Sequence, residues 1–219
     1  PLDFSNPSNA DGKITERTIW DINSRIYYVT DDELNITRYS YDKLNRPTRV
    51  AFADGTTRQV VYDKNHLPKQ ITDNNGTVIT NEFDNRNRLI RKSIARSFNA
   101  KGTTLQEFQY DGFSRLRRAT DNNDPTNADD DSVVERKYDS LGRLLEETQN
   151  GKVVSYNWRK EGDLADCTYP NGRQISFLRD KRNRIKSITN VGSANPLVSY
   201  DYIGSRLAER MYGNGTRLT

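Results

Sequence analysis

The sequence predicts an all-β fold, a continuous antiparallel meander of hairpins that repeat about every 21 residues. Three observations predict it: an aromatic-Asp motif recurs at regular spacing, glycine-containing turns fall between its copies, and apolar residues alternate between the turns.

The aromatic-Asp motif is clearest at Tyr138-Asp139-Ser140-Leu141-Gly142-Arg143-Leu144. Well-formed copies begin at Tyr41, Tyr62, Phe83 and Tyr110, and less regular ones at Trp20, Trp158, Arg179 and Tyr200. The positions that define the motif are Tyr41, Asp42, Arg46, Tyr62, Asp63, Phe83, Asp84, Arg88, Tyr110, Asp111, Arg115, Tyr138, Asp139, Gly142 and Arg143. We call the tight turn that follows each aromatic-Asp pair a YD turn.

The spacing of these starts, at 20, 41, 62, 83, 110, 138, 158, 179 and 200, is 20 or 21 residues except for steps of 27 and 28. The two longer steps predict inserted loops at 93–102 and 121–131. Residues 1–219 therefore form a single array, which we interpret as an excerpt of a longer protein.

A second turn precedes each aromatic by seven or eight residues, as at Asp54-Gly55 and Asn150-Gly151. Asp-Gly and Asn-Gly between apolar runs are strong hairpin signals, because such turns need positive φ. Apolar residues alternate between the turns, as in Val154, Tyr156 and Trp158, and a period of two indicates strands. Because open twisted sheets of more than ~10 strands usually curl, we expect a curved, spiralling sheet.

Composition supports a thin sheet. With 33% hydrophobic and 29% charged residues, the chain has little material for a thick core, yet twelve Tyr and seven Phe argue against disorder. Lys and Arg are interspersed with Asp and Glu, so we expect no nucleic-acid partner. No apolar stretch approaches a membrane span of roughly 18 residues, so we expect no membrane insertion by this segment.

The residues that would suggest catalysis fit the repeat register instead. His66 occupies the turn position held elsewhere by residues such as Asn45, Asn87 and Gly142, so we interpret it as a turn residue. Cys167 lies where other units place Val50 or Ile71, and we expect a buried, slowly reacting thiol. We expect no catalytic residues and no cofactor.

The Asp and Arg of the motif stand four residues apart across one tight turn, as in Asp42 and Arg46. The carboxylate can accept turn N–H groups and pair with the guanidinium, which would rigidify the turn. A ladder of charges that binds a glycan or a polypeptide is the alternative.

The acidic residues Asp121, Asp124, Asp129 and Asp131 are candidate calcium ligands, because Ca²⁺ prefers oxygen ligands. The segment lacks the calcium-loop pattern, since Pro125 stands at a ligand position and no Gly follows. We therefore favour an inserted surface loop, with a calcium site as the alternative.

The motif from Tyr138 to Leu144 resembles the Rhs/YD-repeat family, and the resemblance covers roughly residues 10 to 219. The resemblance implies a β-sheet that spirals into a hollow shell. Bacterial Rhs proteins and the shell components of insecticidal toxin complexes enclose a toxic polypeptide in such a shell, and teneurins use a similar barrel for adhesion. The family's closing segment with an Asp-Pro-x-Gly motif is not matched, since Asp124-Pro125 lacks the Gly.

The resemblance thus implies a wall segment of a secreted or cell-surface shell. Its partners would be the rest of its own shell and an enclosed polypeptide, with glycans as further candidates. An extracellular adhesion or carbohydrate-binding module is the alternative, because exposed Tyr and Trp can stack on sugar rings. Exposed edge strands would also permit self-association.

Overall fold

The computed structural model describes residues 15–97, 102–123 and 131–219, and in these ranges the regular elements are all β-strands. They form one 19-stranded antiparallel sheet, so the predicted antiparallel meander is confirmed. No helix in the described ranges is long and apolar enough to cross a membrane. By their internal contacts the described residues divide into two compact units, one of 15–97, 102–108, 121–123 and 131 and one of 109–120 and 132–219.

The strands of the first compact unit pair with their neighbours in chain order. They are β1 Arg17–Trp20, β2 Ile26–Thr30, β3 Ile36–Tyr41, β4 Pro47–Ala51, β5 Thr57–Tyr62, β6 Pro68–Thr72, β7 Val78–Phe83, β8 Leu89–Ala95 and most of β9, Leu105–Tyr110.

The second compact unit contains most of β10, Leu116–Asn122, and every later strand. These are β11 Ser132–Tyr138, β12 Leu144–Gln149, β13 Lys152–Trp158, β14 Leu164–Thr168, β15 Gln174–Arg179, β16 Ile185–Asn190, β17 Val198–Ile203, β18 Arg206–Tyr212 and β19 Arg217–Leu218. From β11 onward each strand again pairs antiparallel with the next.

The alternation of side chains gives the sheet one apolar and one polar face. On the apolar face Val60 pairs with Ile71, which pairs with Ile79. On the other face of the same strands Val61 pairs with Gln70, and Gln70 with Thr80. Since most apolar side chains remain half-buried, the sheet has a thin core, as the composition predicts.

In the second unit the apolar face is deepest around Cys167, which pairs with Tyr156 on one side and Ile175 on the other. Cys167 is only 5% exposed, so its predicted burial is confirmed. Free thiols are commonly buried as small hydrophobic groups.

Candidate functional site: a ladder of contacts between YD turns

The YD turns share one backbone geometry, shown by the turn after Tyr41. The N–H of Asp42 donates to the carbonyl of Arg46 at 3.0 Å, and the N–H of Asn45 donates to the carbonyl of Asp42 at 3.1 Å. Asn45 has φ 64, so the turn is a three-residue loop that ends in a left-handed residue. A register shift between Ser40 and Tyr41 marks the accompanying bulge.

The left-handed position recurs at the site that the sequence predicts for it. The residues there are Ser24, Asn45, His66, Asn87, Ser114, Gly142, Gly162 and Asn183, and all have positive φ. The interpretation of His66 as a turn residue is therefore confirmed, with φ 66. Gly142, at φ 86, adopts a conformation that most other side chains adopt only with strain.

The aspartate of the motif caps its own turn. One carboxylate oxygen of Asp42, Oδ1, accepts the N–H groups of Leu44 at 2.8 Å and Arg46 at 3.0 Å. The other, Oδ2, accepts the Nε of Arg46 at 2.7 Å, and the second guanidinium nitrogen lies 2.6 Å from it. The same Asp–Arg pair occurs at Asp21/Arg25, Asp84/Arg88, Asp111/Arg115, Asp139/Arg143 and Asp180/Arg184.

These contacts favour the ionised carboxylate. At Asp180 the side-chain hydrogen bond from Arg184, followed by that from the Arg184 backbone, lowers the pKa from 3.8 to about 2. At Asp139 desolvation is the largest single influence and raises the pKa, but the bonds from the Arg143 backbone and side chain outweigh it, so the pKa is lowered. The turn thus holds its negative charge wherever the Arg is present.

The arginine also contacts the following repeat. The Arg46 guanidinium lies 4.4 Å from the ring centroid of Tyr62, and the Tyr62 hydroxyl donates to the carbonyl of Pro47, the residue after Arg46, at 3.0 Å. We call this set of Asp, Arg and next aromatic a rung. The equivalent Arg-to-ring distances are 4.6 Å for Arg25/Tyr41, 4.6 Å for Arg115/Tyr138, 5.6 Å for Arg143/Trp158 and 4.1 Å for Arg184/Tyr202.

In each of those rungs the aromatic side chain also donates to the carbonyl that follows the arginine. The bonds are Tyr41 Oη to Ile26 at 2.9 Å, Tyr138 Oη to Leu116 at 3.0 Å, Trp158 Nε1 to Leu144 at 2.7 Å and Tyr202 Oη to Ile185 at 2.9 Å. In each of these rungs, a cation–π contact and a hydrogen bond therefore join the aromatic side chain of one repeat to the arginine, and to the carbonyl that follows it, in the preceding repeat.

A third link joins the turns themselves. The Nη1 of Arg25 donates to the side chain of Asn45 at 2.8 Å, and the Nη1 of Arg46 lies 2.9 Å from Nδ1 of His66. In the second unit the Nη1 of Arg143 donates to the carbonyl of Arg159 at 3.1 Å. His66 therefore takes part in the contacts that link neighbouring turns.

One repeat lacks both the arginine and the hydroxyl of a rung, and a different side chain replaces the hydrogen bond. Leu67 stands at the arginine position and Phe83 at the aromatic position. Asn81, which is 8% exposed, donates its Nδ2 to the carbonyl of Pro68 at 2.8 Å. The carbonyl that a tyrosine satisfies in other repeats thus keeps a donor.

Another repeat reverses the charges. Arg159 stands where other turns have Asp, and Asp163 stands where they have Arg. The next aromatic position holds Arg179, whose Nε lies 3.8 Å from Oδ2 of Asp163, while Asn183 donates to Oδ1 of Asp163 at 2.7 Å. An ion pair therefore replaces the arginine–aromatic contact at this rung.

Two features of the turns were not predicted from the sequence. A hairpin turn spans Asp31 to Asn35, with Leu34 at φ 64 instead of a glycine. The sequence signal for this turn was the presence of Asn35 four residues after Asp31. The Asn35 side chain donates to the Asp31 carboxylate at 3.0 Å. In the last repeat Tyr202, two residues after the predicted start at Tyr200, makes the rung.

The structure does not show the four candidate calcium ligands gathered at one site. Asp124 and Asp129 lie outside the described residues. Oδ2 of Asp121 accepts the Thr103 hydroxyl at 3.0 Å, and Oδ1 accepts the Gln106 amide at 3.3 Å. Within 15–97, 102–123 and 131–219, three or more His, Cys, Asp or Glu side chains nowhere gather to hold a metal ion.

In the described residues, the fold and these contacts define an array of YD hairpins in which most repeats are bonded to the next by a rung or by a contact that replaces it. No protein-family model matches the chain. It is 35% identical over 101 residues to the tRNA nuclease WapA of Bacillus subtilis strain 168, covering 46% of this chain and 4% of that protein. It is 25% identical over 174 residues to the tRNA3(Ser)-specific nuclease WapA of Bacillus spizizenii, covering 76% of this chain and 7% of that protein.

Similar solved structures include a Photorhabdus luminescens Tc holotoxin pore that contains TccC3, with a TM-score of 0.46 and 13% identity over 90% of this chain and 13% of that chain. The crystal structure of TcdB2-TccC3-Cdc42 gives a TM-score of 0.45 and 12% identity, over 90% of this chain and 14% of that chain. This chain thus spans a small part of each of these proteins.

Proposed function

We propose that the chain is a wall segment of an Rhs-type shell, which encloses a toxic polypeptide, and that the segment itself carries no catalytic chemistry. The rung is the observation that carries the proposal. It recurs at five places in the described residues and bonds a turn to the following repeat each time, as in Arg46 with Tyr62 and Arg184 with Tyr202. A single binding or catalytic site would need one such constellation, whereas a wall needs many.

The size of the similar proteins supports the same proposal. The matched WapA nucleases are far longer than this chain, which covers 4% and 7% of them. A repeat segment that lies within large toxins is consistent with a structural role beside a separate toxic domain. In this proposal the whole protein is exported, and its partners are the remaining shell and the enclosed polypeptide.

Protease protection in the longer polypeptide that contains this segment tests the proposal. We expect the enclosed polypeptide to be cut far more slowly in the intact protein than after denaturation. Arg143→Ala combined with Arg184→Ala should accelerate cutting, because two rungs are lost. Lys186→Ala is the matched control, since it removes an exposed cation from β16 next to the Ile185 rung carbonyl. Equal cutting before and after denaturation would contradict the proposal.

A carbohydrate-binding role is the second candidate, and one cavity favours it. This cavity, of about 690 Å³, is lined by Lys152, Tyr169, Pro170, Asn171, Arg173 and Ile175. Tyr169 is 40% exposed, so its ring is available to stack on a sugar, with polar side chains around it. A glycan array with the chain and with Tyr169→Ala tests this role. Specific binding that the substitution abolishes would support it.

A further inference from the structure

The strands of the second compact unit divide their charged side chains between the two faces of the sheet. Along β11 to β18 the side chains alternate between the apolar face, which includes Tyr156 and Cys167, and the opposite face. The strand pairing places most acidic residues on the opposite face, namely Glu135, Glu146, Asp166, Asp201 and Glu209. On the apolar face of these strands Glu147 is the one acidic residue.

Basic residues outnumber acidic residues on the apolar face of the same strands. They include Arg136, Lys152, Arg179 and Arg210. Glu147 is bonded to Arg136 at 2.8 Å, and Arg179 lies 3.8 Å from Asp163 of a turn. In the described residues Lys152 and Arg210 have no carboxylate partner, so the apolar face is also a positively charged face.

Two basic side chains flank the cavity beside Tyr169. Lys152 and Arg173 line it together with the apolar residues Pro170 and Ile175, and none of its described lining residues is acidic. The Nε of Arg173 donates to a neutral amide, that of Asn190, at 2.7 Å. Neither cation pairs with a carboxylate in the part of the chain that the structure describes. The cavity is therefore suited to a negatively charged group.

The arginine at this cavity is not required by the turn that carries it. The N–H of Tyr169 donates to the carbonyl of Arg173 at 2.8 Å, which closes the turn. Three other turns close in the same way, and their last residues are Thr56, Thr77 and Thr216. Since threonine serves the turn equally well, the charge of Arg173 is available to a partner.

Tyr169 supplies an apolar surface next to these cations. It is 40% exposed. Its contact with the Cys167 thiol, chiefly a hydrogen bond, raises the pKa of Tyr169, so the phenol adds no negative charge to the cavity. A ligand that fits must therefore bring a negative group and an apolar group close together.

We propose that the apolar face of β11 to β18 is a docking surface for an acidic polypeptide segment that also carries apolar side chains. At the cavity, a carboxylate of the segment lies between Lys152 and Arg173, and an apolar side chain packs on Tyr169. Charge complementarity selects this occupant, because a basic segment would be repelled and a neutral one would leave the cations without a partner. The enclosed polypeptide is the source of the segment, and for that source alone the inference rests on the proposed function.

The extent of the positive face favours a polypeptide over a small anion. Lys152 lies on β13 and Arg210 on β18, so the unpaired cations are separated along the sheet by roughly 24 Å at the usual strand spacing. A small ligand in the cavity reaches Lys152 and Arg173 but not Arg210. An extended segment that crosses the strands reaches all three.

Binding of labelled peptides to the 219-residue chain tests the inference. The probe is a short fluorescein-labelled peptide of repeated Gly-Phe-Glu-Leu units. Its controls replace Glu with Gln, replace Glu with Lys, or replace Phe and Leu with Ser. Fluorescence anisotropy measures the affinity, and backbone amide shifts in NMR spectra show which face of the sheet the peptide contacts.

We expect the Glu peptide to bind about tenfold more tightly than the Gln peptide, because charge-assisted hydrogen bonds are lost in the latter. The Lys and Ser peptides should bind more weakly still, and salt should weaken the Glu peptide. Amide shifts should appear at Tyr169 and Ile175.

A double variant assigns the binding to the cavity. Lys152→Thr with Arg173→Thr should lower the affinity for the Glu peptide about tenfold, and the fold should persist since Thr56 and Thr77 end equivalent turns. Lys181→Thr is the matched control, because it removes an exposed cation from a turn outside the cavity. It should leave the affinity unchanged.

Equal affinity for the Glu and Gln peptides overturns the docking surface, as does an equal loss in the double variant and in Lys181→Thr. If glucose or galacturonate shifts the Tyr169 amide and the Glu peptide does not, the cavity takes carbohydrate and the inference is also overturned. Protease protection in the longer polypeptide is measured separately, so failure of this inference and failure of the proposed function are distinguishable.

Discussion

The left-handed residue of each YD turn shows how one backbone angle restricts the choice of side chain. Gly142, at φ 86, also faces the preceding turn, since a Cβ there would lie 3.3 Å from Nη1 of Arg115. Asn and Ser occupy the equivalent position in other turns, at Asn45 and Ser114 for example. Side chains that tolerate this conformation are therefore preferred, and β-branched ones are disfavoured.

We expect Gly142→Val to reduce the free energy of unfolding by about 1–2 kcal/mol, because a β-branched residue at positive φ is strained. Gly142→Asn is the matched control and should cost less, because Asn45 and Asn183 adopt positive φ, at 64, in the equivalent position of their turns. Urea denaturation of both variants measures the difference. If both variants lost the same free energy of unfolding, crowding against Arg115 would be the cause and not backbone strain.

The depressed pKa of Asp180 predicts a loss of stability in acid. The folded state lowers this pKa from 3.8 to about 2, so the folded chain binds the proton less tightly than the unfolded chain does. The contribution of this carboxylate is therefore present above pH 3.8 and is lost as pH falls towards about 2. Denaturation midpoints measured across this range should fall with pH.

Asp180→Asn is the control for that titration. It removes the ionisable group, so the pH dependence between 3.8 and about 2 should become shallower while the stability at neutral pH decreases. An NMR titration of the Asp180 carboxyl checks the same point directly. A carboxyl that titrates at its ordinary value in the folded chain would contradict the prediction.

At the scale of the element, the rung predicts a compensating pair of substitutions. Asn81→Ala should leave the carbonyl of Pro68 without its described donor and cost about 1–3 kcal/mol. Adding Phe83→Tyr should recover part of that loss, because a tyrosine at this position donates to the equivalent carbonyl in other repeats. Thermal unfolding of the single and double variants measures the recovery.

Phe83→Tyr alone is the control in this cycle. In the presence of Asn81 the carbonyl already has a donor, so the new hydroxyl should add little stability. If Phe83→Tyr has the same effect with and without Asn81, the two side chains do not serve the same carbonyl.

Much of the hairpin pattern could be predicted, because the sequence carries local signals for it. Asp-Gly at Asp54-Gly55 and the alternation of Val154, Tyr156 and Trp158 report on residues that are close along the chain. The turn at Leu34 was missed since it adopts positive φ without a glycine. The Asp31 and Asn35 pair, whose side chains bond across this turn, is a weaker sequence signal than a glycine-containing turn.

The contacts between repeats could not be predicted in the same way. Arg46 and Tyr62 are 16 residues apart in the sequence, and their contact depends on the pairing of β4 with β5 and on the bulge at each turn. The Asp–Arg pair within a turn could be predicted from its spacing, whereas the aromatic ring that the same guanidinium covers could not. Sequence spacing alone does not reveal towards which face of the sheet a bulge directs a side chain.

At the scale of the whole molecule, stability in a repeat array is a sum of repeat and nearest-neighbour contributions. We therefore expect the highest hydrogen-exchange protection in the strands around Val60, Phe108 and Tyr138. The end strands should also promote self-association that increases with concentration. Hydrogen-exchange mass spectrometry and analytical ultracentrifugation measure both. Uniform protection in a strictly monomeric chain would contradict an open array.

We expect the charge-reversed repeat at Arg159 and Asp163 to favour the correct pairing of hairpins during folding. Hairpins of similar sequence can pair with the wrong neighbour, a common failure of repeat proteins. A hairpin that skipped a repeat and brought Arg143 against Arg179 would place two positive charges together, whereas Asp163 against Arg179 is attractive. Differences between rungs thus make incorrect hairpin pairings energetically less favourable than the native ones. A chain of identical repeats would lack this protection against misfolding.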